Sequence, residues 1–96
     1  MNITEVYAEL DDTDEFLKFA RIANPRSKRP DLHAFLLLDE LMPGTRDMVS
    51  GAEHDEIYLD VDPEELAKVA TREQIIDLYR CGVRFDASVN SLCMFV

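Results

Sequence analysis

Glu53-His54-Asp55-Glu56 is the one run in which a histidine stands among carboxylates. These residue types hold divalent metals or share a proton in general acid–base catalysis. Either chemistry requires side chains that converge. In an extended segment neighbours point to opposite sides, so His54 shares a face with Glu56, and Glu53 with Asp55. A zinc site takes three or four ligands, and His33 is the only other imidazole in the chain. Between residues 53 and 65 there are seven acids and no Lys or Arg, a density that a hard cation could screen, yet no DxDxDG spacing occurs. The expectation is no dedicated metal and no cofactor. A small metal-dependent enzyme built on Glu53, His54, Asp55 and Glu56 is the alternative.

Other catalytic chemistry is thinner still. No GxSxG, Walker loop, GxGxxG or HExxH is present, and three glycines leave little material for a phosphate cradle. Ser27, Ser50, Ser88 and Ser91 have no local base partner. His33 opens an apolar segment and reads as a packed or surface residue rather than a catalyst. Cys81 and Cys93 form no CxxC and read as two semi-buried free thiols. A disulfide is open to them if the last helical turn lies over the last strand. The chain is therefore expected not to be an enzyme.

Charge narrows the partners. Twenty acids against ten bases give −10 and a pI near 4.4, which disfavours direct contact with nucleic acid or anionic membranes. No apolar run reaches the roughly 18 residues of a membrane span. The acidic, periodic start MNITEVYAELDD is unlike a signal peptide, so a cytoplasmic protein is expected. Lys18, Arg21, Arg26, Lys28 and Arg29 form a stretch without acids that holds half of the basic charge. It reads as a solvated loop, or as a contact site for an acidic or phosphorylated partner. The acidic residues read as a surface for a protein with a basic face, with Glu53, Asp55, Glu56, Asp60, Glu64 and Glu65 as the partner-binding candidates. Plain solubility is the competing explanation of the acidity.

The elements that must position these groups follow from periodicity. With 47% hydrophobic residues, 96 residues can bury one core, so a single domain spanning 1–96 is expected. Residues 2 to 11 predict a helix capped by Asn2, with Ile3, Val6, Tyr7 and Leu10 on one face. Asp12 and Glu15 predict a second helix bearing Phe16, Leu17, Phe19, Ala20 and Ala23. A loop through two prolines leads to a helix over residues 31–42, capped by Asp31, with Leu32, Phe35, Leu36 and Leu41 inward. A buried strand at residues 35–38 is the alternative there. Residues 43–55 read as a long loop with one helical turn near residues 47–50. Residues 56–61 alternate as a half-buried strand. Asp62 with Glu65 and Thr71 with Gln74 predict two abutting helices, with Leu66, Val69, Ala70, Ile75, Ile76, Leu78 and Tyr79 buried. Gly82 stops the second helix. Residues 83–86 and 91–96 form a terminal β-hairpin joined by a four-residue connection. The fold class is α+β: N-terminal helices and a small antiparallel sheet of about three strands, with the helix pair preceding the hairpin.

The segments AEHDEIYLDV, RCGVRFD and SLCMFV give the C-terminal half a resemblance to small acidic proteins of uncharacterised role from bacteriophages and prophages. The resemblance implies an accessory protein of a mobile element, acting in the cytoplasm of a bacterial host. It carries no site residues. The functional expectation is a non-enzymatic protein-binding module that inhibits or modulates a host or phage protein through its acidic faces, residues 5–15 and 53–65. A charge mimic of nucleic acid, or an inhibitor of a host defence complex, is one form of that expectation. An assembly component acting through residues 91–96 is a further alternative. That strand is apolar on both faces and reads as the end of the chain, with nothing following to cover its edge, so a homodimer joined there is expected to compete with burial under the N-terminal helices.

Overall fold

Asp62 and Thr71 start two helices as their positions require. The Asp62 carboxylate accepts from the N–H groups of Glu64 (2.9 Å) and Glu65 (3.3 Å). The Glu65 carboxylate reaches Lys68 rather than back to the cap, so that box is half formed. The Thr71 box is complete, with Gln74 N–H donating to Thr71 Oγ1 and Thr71 N–H to Gln74 Oε1. At the far end Val83 N–H donates to Leu78 O and Gly82 N–H to Tyr79 O, the paired bonds of a Schellman stop. Gly82 sits at φ 97°, and a Cβ there would meet Leu17 Cδ2 at 3.0 Å.

The computed structural model describes residues 1–96 as α1 (Ile3–Leu10), one 3-10 turn (Phe19–Arg21), α2 (Pro30–Leu41), β1 (Val49–Glu53), β2 (Glu56–Leu59), α3 (Pro63–Val69), α4 (Arg72–Arg80), β3 (Arg84–Asp86) and β4 (Ser91–Phe95). The fold is α+β, with all four strands in one antiparallel sheet of order β1-β2-β4-β3. No helix is long and apolar enough to cross a membrane. Every helix contributes buried side chains to one cluster, which continues through Leu59, Leu92 and Met94 of the sheet. The Tyr7 hydroxyl donates to Val83 O at 3.2 Å and fastens α1 to the turn after α4.

Five expectations are corrected, the smallest being Val69 on α3, which is 52% exposed rather than buried. The sheet has a fourth strand, β1, in the region read as a loop with a helical turn. VSGAE shows no alternation because an exposed edge strand buries neither face, and Ser50 bulges out of register. The helix expected to follow Asp12 is reduced to the 3-10 turn. Leu17 adopts φ 60°, its N–H points to Tyr79 O at 3.4 Å, and Thr13 rather than Asp12 accepts from the Glu15 N–H. On α2, Pro30 opens the helix after Arg29, and the buried face is His33, Ala34, Leu37 and Leu38. Phe35 and Leu41 flank that face, whereas Leu32 and Leu36 point outward. Last, β4 is interior: β2 and β3 occupy both its edges, so no edge pairing with a second copy is available there.

The segment between α1 and α2 is held by charge. Arg80, its side chain 13% exposed, reaches Glu15, Glu73 (3.1 Å) and Asp77 (2.9 Å), and Glu15 also takes Arg21. Thr71→Ala is expected to lower stability by about 1 kcal/mol through the lost cap. Gly82→Ala should cost about 1–3 kcal/mol through left-handed strain. Urea unfolding of the two variants checks both, and a Gly82→Ala midpoint equal to that of the wild type would contradict the Schellman stop.

Candidate functional site

Alternation along the strands sorts the sheet into two faces. Ile57, Leu59, Phe85, Leu92 and Met94 turn toward the helices. Tyr58, Arg84, Asp86, Ser91, Cys93 and Phe95 fall on the other face, because register sets Tyr58 and Arg84 opposite Cys93, and Glu56 opposite Phe95 and Glu53. Cys93 is the one buried apolar residue outside the common core. All helices pack into that core, so this outer face has no helical cover.

Arg84 organises the outer face. Its Nη1 lies 2.6 Å from Glu56 Oε1 and 3.7 Å from Cys93 Sγ, and the guanidinium stands 4.2 Å over the Phe95 ring. Phe95 nevertheless stays 58% exposed. Tyr58 stands near Glu56, Glu53 and Asp86, and partial burial followed by these charges raises its hydroxyl pKa. A shallow cleft of about 320 Å³ runs between Glu53, Tyr58 and Ser91. The face thus presents two aromatic rings beside carboxylates.

The six partner-binding candidates separate in space and in their ion pairing. Glu53 and Asp55 flank His54 at the β1–β2 tip, and neither has a Lys or Arg partner. His54 adopts φ 55°, so residues 54 and 55 form a turn in which the expected strand alternation does not apply. Glu56 is neutralised by Arg84. Asp60 accepts from Arg46 Nε and Nη2, both at 3.0 Å, on the wall of a separate cleft of about 720 Å³ that also includes Asp62 and Asn90. Glu65 pairs with Lys68, and Glu64 faces solvent without an ion pair. Of the six, register places Glu53 and Glu56 on the outer face, and Asp55 stands at the turn between their strands. Tyr58, Arg84 and Phe95 complete that face. Tyr58 was legible as an aromatic on the polar side of its strand, but the closure of Arg84 over Phe95 depends on strand order.

The chemistry open to these groups is limited. No group of three or more His, Cys, Asp or Glu side chains comes together in a way that could hold a metal ion. His54 Nε2 lies 3.6 Å from Glu53 Oε1 with both side chains exposed, beyond hydrogen-bond length. Both cysteines are free. Cys81 belongs to the helix-side core and Cys93 to the other side of the sheet, which separates them. Burial pushes the Cys81 thiol up to about 12 and the Cys93 thiol up to about 11, away from thiolate reactivity.

His33 is structural. Its Nδ1 accepts the Arg26 N–H at 3.0 Å, which assigns the ring proton to Nε2, itself buried and without a partner. Burial, then the nearby Arg26 charge, lowers the ring pKa below its ordinary 6.5, with Asp77 opposing. Because the folded ring resists protonation, stability is full above about 6.5 and falls as pH drops from there toward the lowered folded value. Thermal unfolding at pH 7 and pH 5 is expected to show a lower Tm at pH 5, with a smaller drop in His33→Asn. An equal drop in both proteins would assign the effect elsewhere.

No protein-family model, curated protein or solved structure matches this chain.

Proposed function

We propose that this protein is a non-enzymatic binding module that docks its outer sheet face on a basic surface of a larger protein. The observation that carries this reading is the exposed Phe95 on the same sheet face as Tyr58, with Glu53 on that face and Asp55 at the adjoining turn, both without a Lys or Arg partner. Interfaces are built in this way, from a few aromatic anchors inside a polar rim. The rim supplies charge complementarity and association rate, while the rings supply buried area. The resemblance of the C-terminal half to phage and prophage proteins supports an accessory role in a bacterial host, as an inhibitor or modulator of a host or phage protein. Where the docked basic surface normally holds nucleic acid, such a protein competes with it as a charge mimic.

Asp60 and Glu65 contribute less to this reading than Glu53 and Asp55, because each already has a cation of its own. The test uses the wild type, Glu53→Lys/Asp55→Lys, Phe95→Ala and Glu65→Lys as baits in a bacterial host lysate. A species retained by the wild type at low salt should be released at high salt. It should also be lost from the first two variants and kept by Glu65→Lys. Retention that is indifferent to salt and to both outer-face variants would overturn the proposal.

A further inference from the structure

The outward side of α2 carries Arg29, Leu32, Leu36 and Asp39, all exposed. At about 100° per residue Leu32, Leu36 and Asp39 fall within an arc of roughly 60°, and the N-cap Arg29, on extended backbone, stands at the N-terminal end of that stripe. Leu32 and Leu36 are 43% and 41% exposed on a helix whose inward face is already filled by Ala34, Leu37 and Leu38. Their neighbours are also unengaged. Arg29 has no carboxylate partner and Asp39 has no cation partner, although Arg26 and Glu40 alongside pair with each other at 2.5 Å.

The spacing of the stripe is palindromic. Reading 29, 32, 36, 39 in either direction gives steps of three, four and three, centred at residue 34. A helix with such a stripe is complementary to itself when run antiparallel. A two-fold axis on the outward side, midway between Leu32 and Leu36, sets Leu32 against the Leu36 of a second copy and Arg29 against its Asp39, and then repeats both contacts. Run parallel, the same stripe would set Arg29 on Arg29 and Asp39 on Asp39. We propose that α2 is a homodimerisation surface, and that its occupant is the antiparallel α2 of a second copy.

This surface is independent of the outer sheet face. The two share no residue, so a dimer formed across α2 that keeps both outer faces accessible makes the protein bivalent toward a repeated or dimeric partner. With two leucines per copy at its centre, the interface belongs to the weak, reversible class.

Sedimentation equilibrium from low micromolar to near-millimolar concentration should show a monomer–dimer equilibrium. Arg29→Asp and Asp39→Arg should each weaken it roughly tenfold, since a two-fold interface feels every substitution twice. The double variant Arg29→Asp/Asp39→Arg should return association to near the wild-type value, and Leu32→Ser/Leu36→Ser should be monomeric. Misfolding does not confuse these outcomes. Asp is a better N-cap than Arg, and Arg in the last turn suits the helix dipole, so both single changes favour α2 itself. A chain that is monomeric throughout, or a dimer that the single variants leave intact, or a double variant that fails to restore association, would overturn the proposal.

Discussion

The pairing of β2 with β4 makes one domain out of what would otherwise be two hairpins. β1–β2 and β3–β4 each close locally. The bonds that set Glu56, Ile57 and Tyr58 against Phe95, Met94 and Cys93 join segments nearly forty residues apart in sequence. They form only if α3 and α4 fold back across the sheet in the intervening chain. The abrupt junction at Ala70 and Thr71 and the left-handed turn at Gly82 are what allow two short helices to do that. Once β4 is central, Leu92 and Met94 meet the helices while Cys93 and Phe95 turn outward. An apolar strand with both edges paired then explains why residues 91–96 lack the alternation of a half-wet strand.

Features whose causes are local were legible in the sequence. Asn2, Asp62 and Thr71 cap the helices they were expected to cap, Gly82 ends α4, and the α+β class follows from the change of period after it. Features decided by distant partners were not. Phe16, Leu17 and Phe19 have helical spacing, but Glu15 is drawn to Arg80 and the Leu17 N–H to the end of α4, and these contacts override propensity. Leucines occupy both sides of α2, so composition alone could not choose its inward face. The small residue Ala34 and the buried His33 lie inside while Leu32 and Leu36 lie outside. At the candidate site, the acids were legible as a run and their compensation was not. Arg46 and Arg84 come to Asp60 and Glu56 from 14 and 28 residues away.

That compensation changes what the net charge means. Arg46, Lys68, Arg72, Arg80 and Arg84 are all engaged by carboxylates, as are Arg21 and Arg26 of the basic stretch. The cations without a carboxylate partner are Lys18, Lys28 and Arg29, all within residues 18–29. Arg80 is the costliest to disturb. Removing it would leave Glu15, Asp77 and Glu73 facing one another around a site where Arg80 itself is mostly buried. The remaining negative charge is spread more widely: along and just after α1, on α2 at Asp31 and Asp39, at the β1–β2 tip, at the start of α3, and at Asp47 and Asp86. The molecule is thus patterned, with its unengaged positive charge confined to the approach to α2.

This patterning bears on how two such acidic molecules could approach. Each copy carries −10, and at long range they repel. At physiological ionic strength that field decays over about 8 Å, whereas the molecule measures 28 × 28 × 27 Å. Charges more than about 8 Å from α2 are therefore largely screened from a contact made across it. What acts there is the local set, and locally α2 begins beside Lys28 and Arg29, with Leu32 and Leu36 next and Asp39 beyond. A surface of this kind meets its own copy with opposite charges in register, while a wholly acidic face would not. The carboxylates at the β1–β2 tip belong to a different surface, and their attraction for a basic partner is set by the same short range.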